Sequence, residues 1–401
     1  MRVGFLGSPR QYTSSMAEWH AASFEEVKAG RVSDIYFTRA VQVLQETGRD
    51  RTVRAEFMAK NFPQGWPWGV LTGVEECLRL LEGSPVCVRG LREGAIFRPF
   101  MPVLEIEGTY TDFAVYETAL LGMLCQASGV ATKAARFRKL AGEKPLVSFG
   151  ARRVHPSVAP VVERAAYIGG CDGVATLLAA ERLGIDASGT MPHSLVLLMG
   201  STEAAAQAFH KSVDPQAARV TLIDTFNDEK FEAVRVAQAL GPDLYAIRLD
   251  TPASRRGNFR EILQEVRWEL DLRGFEQVRL FASGGLTEGA VESLCDLVDG
   301  FGVGTEISAA PVVDFSMDIV EIDGEPIAKR GKMSGSKSLW RCATCGDEFM
   351  TPRDHLPEHE HDAVEDLVQP LLDRGRLVNV PPTPASIRQR VLDALEGEEL
   401  V

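Results

Sequence analysis

VRLFASGGLTEGAVESLCDLVDGFGVGT, residues 278–305, holds two apolar strand-like runs, Val278-Arg-Leu-Phe281 and Val298 to Val303. Each runs straight into glycine: Ser283-Gly284-Gly285 with Thr287 after the first, Gly302-Val-Gly304-Thr305 at the end of the second. Glycine lets backbone N–H groups come close to an anion, and a Gly-rich turn after a strand is a common phosphate cradle. One such turn is only a turn; two in successive units are a pattern. Working outward, the same rhythm begins at Leu146-Val-Ser-Phe149 and recurs at Val220-Thr-Leu-Ile223 and Leu244-Tyr-Ala-Ile247. Between these runs lie helical patterns. Glu229 to Leu240 is expected to bury Phe231, Val234, Ala237 and Leu240 and to stop at Gly241. Asn258 to Leu272 offers Ile262, Leu263, Val266 and Leu270. Repeated strand–helix units imply a parallel sheet.

The unusual residues cluster just after the strands: Arg152-Arg153, Asp224, Arg248 with Asp250, and the two glycine runs. That placement predicts an irregular α/β barrel, whose C-terminal mouth gathers such residues around one ligand; an open sheet collects them only at its switch crevice. The chain therefore divides into an N-terminal α+β domain (1–145), the barrel (146–310) and a C-terminal region (311–401). In the first, Leu78 to Val88, Ala95-Ile-Phe97 and Pro102 to Ile106 read as a small antiparallel sheet, completed in part by the C-terminal region. A helix carrying Ala114, Leu120, Leu121, Leu124 and Cys125 follows. Asp323-Gly324 predicts a hairpin between Ile319–Ile322 and Pro326–Lys329, and Thr383-Pro384 opens a last helix.

The chemistry at the strand ends suits a charged, flat substrate. Arginine binds carboxylate or phosphate through a planar fork, and an aromatic ring stacks on another. Phe149-Gly-Ala-Arg152-Arg153-Val-His155 supplies both. Asp224, Arg248 and Asp250 can hold Mg²⁺, ribose hydroxyls or a positive charge developing at a sugar carbon, or else form an interstrand salt bridge. His193, after Ser188-Gly189-Thr190, stands alone and by itself reads as a structural histidine.

The chain carries 43 basic and 56 acidic residues, a net charge of −13. That balance argues against nucleic-acid or membrane surfaces as partners. The opening MRVGFLGSPRQY has no apolar run long enough for a signal peptide, and no run of about 18 apolar residues suggests a membrane span. Five of seven cysteines are scattered, as buried thiols are. A cytoplasmic protein is expected. The remaining two, Cys342-Ala-Thr-Cys345-Gly346, have the form of a zinc knuckle within residues 340–362. The expected partners are His355 and His359, with His361 as the alternative. A redox pair would want a thioredoxin-like context that is missing here, and a metal-free hairpin is the other reading.

Gly169-Gly-Cys-Asp172-Gly173 followed by Ser188-Gly-Thr190-Met-Pro-His193 resembles the signature of the nicotinate phosphoribosyltransferases, a Gly-Gly-x-Asp-Gly helix start and then Gly-Thr-x-x-His. Phe149-Gly-Ala-Arg152-Arg153, Arg248-Leu-Asp250-Thr251, Ser283-Gly-Gly-Leu and Phe301-Gly-Val-Gly-Thr305 match further motifs. So does Ser33-Asp34-Ile-Tyr36, with Glu93-Gly94, Pro102-Val-Leu, Glu107-Gly108 and Glu117-Thr118 in family order. The resemblance spans most of residues 30–340 and is nearest the compact, archaeal-type branch.

It implies the type II phosphoribosyltransferase fold and transfer of a ribosyl phosphate from phosphoribosyl pyrophosphate to nicotinate in NAD salvage. Mg²⁺ would accompany the sugar substrate, and ATP would be a co-substrate that transiently phosphorylates His193. Tyr36 from a neighbouring subunit and Phe149 would sandwich the pyridine ring. Arg152, with Arg153 and His155 beside it, would meet nicotinate or phosphate, while Asp172 and Thr190 shape the base pocket. Arg248 and Asp250 would hold the ribosyl pyrophosphate, and Ser283, Gly284, Gly285, Gly302, Gly304 and Thr305 its 5′-phosphate. A homodimer or larger oligomer with shared sites follows. Compact relatives also carry a zinc-knuckle-like segment. Thr251-Pro252 departs from the family's Ser-Gly, which puts the pyrophosphate side in question. The alternatives are quinolinate or nicotinamide as base, or a non-catalytic nucleotide sensor.

Overall fold

In the computed structural model, residues 20–400 are described apart from 253, 256 and 362. The opening MRVGFLGSPRQY lies outside them. Six parallel strands line up in the order Gly173–Val174, Leu146–Ser148, Gly300–Val303, Arg279–Ala282, Ala246–Leu249, Val220–Leu222. Numbered along the chain this is 2-1-6-5-4-3, the circular order of a barrel opened at one seam. Among the described residues no strand joins Gly173–Val174 to Val220–Leu222; helices Leu177–Leu183, His193–Met199 and Thr202–Ser212 fill that stretch. The sheet is thus a curled part-barrel, and the seam gives access to its interior.

Several expectations need correcting. Gly169-Gly170 does not start a helix: Gly169 caps the end of Ala159–Ile168, and Gly173–Val174 is a short strand. On Glu229–Leu240 the buried apolar face is Ala233, Val236, Ala237 and Leu240, one step round from that expected, and Phe231 is exposed. Val74–Leu81 is a helix, not part of a sheet; Val74, Cys77, Leu78 and Leu81 recur at helical spacing on its buried side.

The second large element is a seven-stranded sheet. Its strands run Glu325–Pro326, Phe315–Ile322, Thr52–Ala59, Pro102–Thr109, Cys87–Gly90, Gln369–Asp373, Arg376–Leu377. N- and C-terminal regions therefore weave into one layer. Asp323 (φ 49°) and Gly324 (φ 82°) make the expected hairpin, but its second strand is only Glu325–Pro326. Ile96–Phe97 pairs separately with Gly69–Val70.

One helix ties the halves together. Glu117–Ala141 places Leu120 and Leu124 in the core beneath the antiparallel sheet, and Ala127 through Ala141 in the core of the parallel sheet. The continuous helical stretch Tyr110–Ala141 has the length and apolarity of a membrane span, contrary to the expectation from the sequence. Packing between two cores accounts for much of that composition: Ala127 to Phe137 are buried without a break, and a helix segment buried on most sides is apolar on most faces. The last helix, Pro384–Leu395, is capped by Thr383, whose hydroxyl accepts from Ser386 N at 3.2 Å, and packs Ile387, Val391 and Leu395 into the parallel-sheet core.

Candidate active site

The C-terminal ends of the parallel strands meet in a connected set of polar groups. His193 is the first residue of helix His193–Met199, set at the seam. Its Nδ1 lies 3.1 Å from Thr225 Oγ1, and its Nε2 is 3.7 Å from both Asp224 Oδ2 and Asp250 Oδ2. Asp250 in turn accepts from Ser283 Oγ at 2.8 Å and stands 3.9 Å from Arg248 Nη2. The Arg248 guanidinium lies over the Phe149 ring, 5.4 Å from its centre. Residues from five segments thus converge through side chains alone.

Two glycines make this approach possible. A Cβ on Gly302 would sit 2.2 Å from the Phe149 ring, so only glycine lets that ring lie across the strand. Gly284 has φ 84°, and a Cβ there would meet the Asp250 carbonyl oxygen at 2.7 Å.

The electrostatics are unbalanced. Asp224 is 2% exposed at its side chain and Arg248 12%, while His193 is 41% exposed. Asp224 Oδ1 and Arg248 Nε are buried and find no hydrogen-bond partner among the described residues. Burial pushes the Asp224 carboxyl up, His193 opposing and the Asp250 charge adding to the rise. Burial likewise pulls the Arg248 guanidinium down, against Asp250 and Asp224 and with Arg152. Buried polar atoms normally find partners, and exceptions concentrate at sites that bind something.

Beside this set opens a cleft of about 620 Å³ lined by Phe149, Arg152, Ser188, Gly189, Thr190 and Arg248, among others. Its floor at Ala175-Thr176 is held by Glu163, a fully buried carboxylate that accepts from Ala175 N at 2.6 Å and Thr176 N at 3.2 Å. Sequence reading missed Glu163, whose only signal is an acid on an otherwise apolar helix face. It also missed Thr225, which merely follows Asp224.

Other expected residues are elsewhere. Arg153 and His155 are exposed and do not line the cleft; His155 Nδ1 is 2.7 Å from Ser157 Oγ. Asp172 sits at the opposite end of the strands. It takes Arg138 Nη2 and Arg388 Nη2 at 2.5 Å each and Leu146 N at 2.8 Å, so it closes the bottom of the sheet instead of shaping a base pocket. Tyr36 is on helix Ile35–Thr47, 58% exposed, and is not among the residues lining this chain's own cleft. Gly304 packs near the Phe149 carbonyl, and Gly285 and Thr305 face open space or solvent.

A separate group of side chains could hold a metal ion. Cys342 Sγ, Cys345 Sγ and ring nitrogens of His359 and His361 all lie within 4.8 Å of one another. Neighbouring donors are 3.3 to 3.6 Å apart, against tetrahedron edges of about 3.3–3.8 Å for the usual zinc–nitrogen and zinc–sulfur bonds. Thr344 N and Cys345 N point at Cys342 Sγ. Against the burial that would raise it, these N–H groups and His359 bring the Cys342 thiol to about 6. His355 is not in the cluster: its Nδ1 is 3.0 Å from the Arg353 carbonyl, in the turn before it. The fourth member is His361, which the sequence offered only as the alternative.

Comparison with known proteins agrees with this fold. The quinolinate phosphoribosyl transferase family matches in both parts, its N-terminal domain at residues 34–128 and its C-terminal domain at 130–318. A nicotinate phosphoribosyltransferase of Mycobacterium tuberculosis is 31% identical over 346 residues, covering 77% of this chain and 76% of that protein. Another from the same species is 33% identical and covers 81% and 72%. Among solved structures, nicotinate-nucleotide pyrophosphorylase from Pyrococcus furiosus superposes with a TM-score of 0.93 at 48% identity, over 95% of this chain and 98% of that one. Human nicotinic acid phosphoribosyltransferase shares the fold, with a TM-score of 0.76 at 22% identity over 91% and 93%.

Proposed function

The chain belongs to the nicotinate phosphoribosyltransferase family of phosphoribosyltransferase enzymes, and from that premise we propose that it joins nicotinate to phosphoribosyl pyrophosphate, coupled to ATP. The observation that carries the reading is the incompletely partnered charge at the strand ends, where Arg248 and Asp224 each keep a buried atom without a hydrogen-bond partner among the described residues, beside the Phe149 ring. The pyridine nitrogen attacks the ribose C1′ as the C1′–pyrophosphate bond breaks, so positive charge grows on the sugar and negative charge on the leaving group. Asp224 and Asp250 face the first; Arg248 faces the second and helps seat the ring on Phe149. Their hard oxygens suit Mg²⁺, which would share the pyrophosphate's charge. The runs from Ser283 to Gly285 and from Gly302 to Thr305 would take the 5′-phosphate. His193, with Nε2 toward the two carboxylates and Nδ1 at Thr225, would accept the phosphoryl group of ATP as ADP leaves.

Nicotinate has one carboxylate. Of the three cations expected near it, only Arg152 lines the cleft; Arg153 and His155 do not. Quinolinate, with two carboxylates, would ask for more. It remains the second reading because of the family match and the Pyrococcus furiosus relative. Pure protein given phosphoribosyl pyrophosphate and each of nicotinate, quinolinate and nicotinamide, with and without ATP, separates them. Nicotinate mononucleotide as chief product, faster with ATP, is expected; carbon dioxide release from quinolinate at a higher rate would replace the reading.

We further propose that a second copy of the chain supplies Tyr36, that the Cys342, Cys345, His359 and His361 cluster holds a structural zinc ion, and that the enzyme works in the cytoplasm. Exposure of Tyr36 away from its own cleft supports the first. Mixing Tyr36→Ala with Arg248→Ala should restore activity that neither has alone. No recovery, with subunit exchange demonstrated, would mean that each chain builds its own pocket.

A further inference from the structure

Two carboxylates follow the glycine-rich runs closely: Glu288, three residues after Gly285, and Glu306, directly after Thr305. Placed there, they would repel a phosphate held by the preceding loops. Both are tied from behind by the long helix Glu117–Ala141. Lys133 Nζ is 2.7 Å from Glu288 Oε1 and 3.2 Å from Glu306 Oε2, so a single ammonium spans the two segments. Arg136 grips Glu288 through Nε at 3.1 Å and Nη2 at 2.9 Å. Its Nη1 donates to the Leu400 carbonyl at 3.0 Å. Lys133 is 5% exposed at its side chain and Arg136 11%, whereas Glu288 and Glu306 are 22% and 39% exposed. Burying a lysine is costly unless it is paired, and a surface position would have served packing alone.

We propose that Lys133, assisted by Arg136, is a positioning residue for the sugar phosphate. It fixes the distance between the two glycine-rich runs and cancels the charge of Glu288 and Glu306 behind them. The inference rests on reading those runs as the phosphate cradle. It makes the helix that joins the two cores part of the apparatus for one substrate and not the other, because neither cation lines the cleft beside Phe149.

Calorimetric binding of ribose 5-phosphate to the intact chain tests this without requiring turnover. Lys133→Met leaves an uncompensated anion near the phosphate and should weaken ribose 5-phosphate about tenfold, by the Coulomb energy of one charge across a partly wet path. Nicotinate affinity should not move. Lys133→Arg should keep the wild-type value. Adding Glu306→Gln to Lys133→Met should recover most of the loss, which a purely structural role would not allow. Unchanged ribose 5-phosphate affinity in folded Lys133→Met, or no recovery in the double variant, overturns the proposal. If Lys133→Met does not fold, Glu306→Gln alone should tighten ribose 5-phosphate by about threefold, and no tightening counts against it. Wild-type protein that binds ribose 5-phosphate but makes no nucleotide refutes the enzymatic reading while leaving this one to its variants. Wild-type protein that does not bind ribose 5-phosphate overturns the cradle and this inference together.

Discussion

The same parallel strands end in two opposite ways. At their N-terminal ends Asp172 is saturated: Arg138, Arg388 and the Leu146 N–H all reach it. At their C-terminal ends Asp224 and Arg248 are more deeply buried, yet each keeps an atom without a partner among the described residues. Both ends are rich in charge, and the family resemblance assigned Asp172 to the base pocket. Charge that is fully partnered holds the sheet together; charge left incompletely partnered after burial costs stability and is kept for a ligand. Pairing, more than residue type, tells the two ends apart.

Substitutions can break that contrast. Arg248→Ala should lower turnover by about a thousandfold or more, as loss of a group bearing transition-state charge does, while melting temperature holds or rises. A drop in stability with turnover intact would reverse the roles of the two ends. The cysteine–histidine cluster extends the paired class. Purified protein should hold one zinc per chain, and Cys342→Ser should lose it along with several kcal/mol of stability, on the order of a structural site's contribution. Protein that is metal-free and fully stable would contradict the assignment.

Glu117 offers a third kind of charge, half-buried and away from the cleft. Burial lifts its carboxyl from 4.5 to about 7, with Asp318 adding to the rise and Lys329 opposing. The folded value lies above the unfolded one, so folding takes up a proton between them. The penalty is absent below pH 4.5, grows as pH rises, and is complete above about 7. Glu117→Gln should therefore be more stable than wild type at pH 8, by about 2–3 kcal/mol once the screening of a half-buried group is allowed for, and equal to it at pH 4. Equal stability at both would show that the carboxyl is not held up. The smallest effect is expected of Asp172→Ala, about 2 kcal/mol of stability because the carboxylate is partly exposed, with turnover per folded chain unchanged.

Most of the frame was legible. Strands bounded by glycine and followed by charged residues gave the parallel sheet and its mouth, and Thr383-Pro384 and Asp323-Gly324 marked a helix start and a turn by their own backbone preferences. What escaped depends on partners far along the chain. Thr52–Ala59 is an interior strand of the antiparallel sheet although it buries Glu56, because Lys337, far along the chain, meets that carboxylate at 2.8 Å. Gly173–Val174 is too short to show a period, and the glycines before it look like a turn. His355 and His361 are equally good ligands by type; only the turn that sends His355 to the Arg353 carbonyl distinguishes them. Asp172 was misplaced because a motif carries residue identity but not which end of a strand it occupies.

The contrast between the two ends reduces to one measurement, the affinity of phosphoribosyl pyrophosphate for Arg248→Ala and Asp172→Ala, titrated side by side with wild type. If incompletely partnered charge marks the site, binding is lost in Arg248→Ala and stays at the wild-type value in Asp172→Ala. Wild-type affinity in Arg248→Ala, or loss in a folded Asp172→Ala, would contradict it.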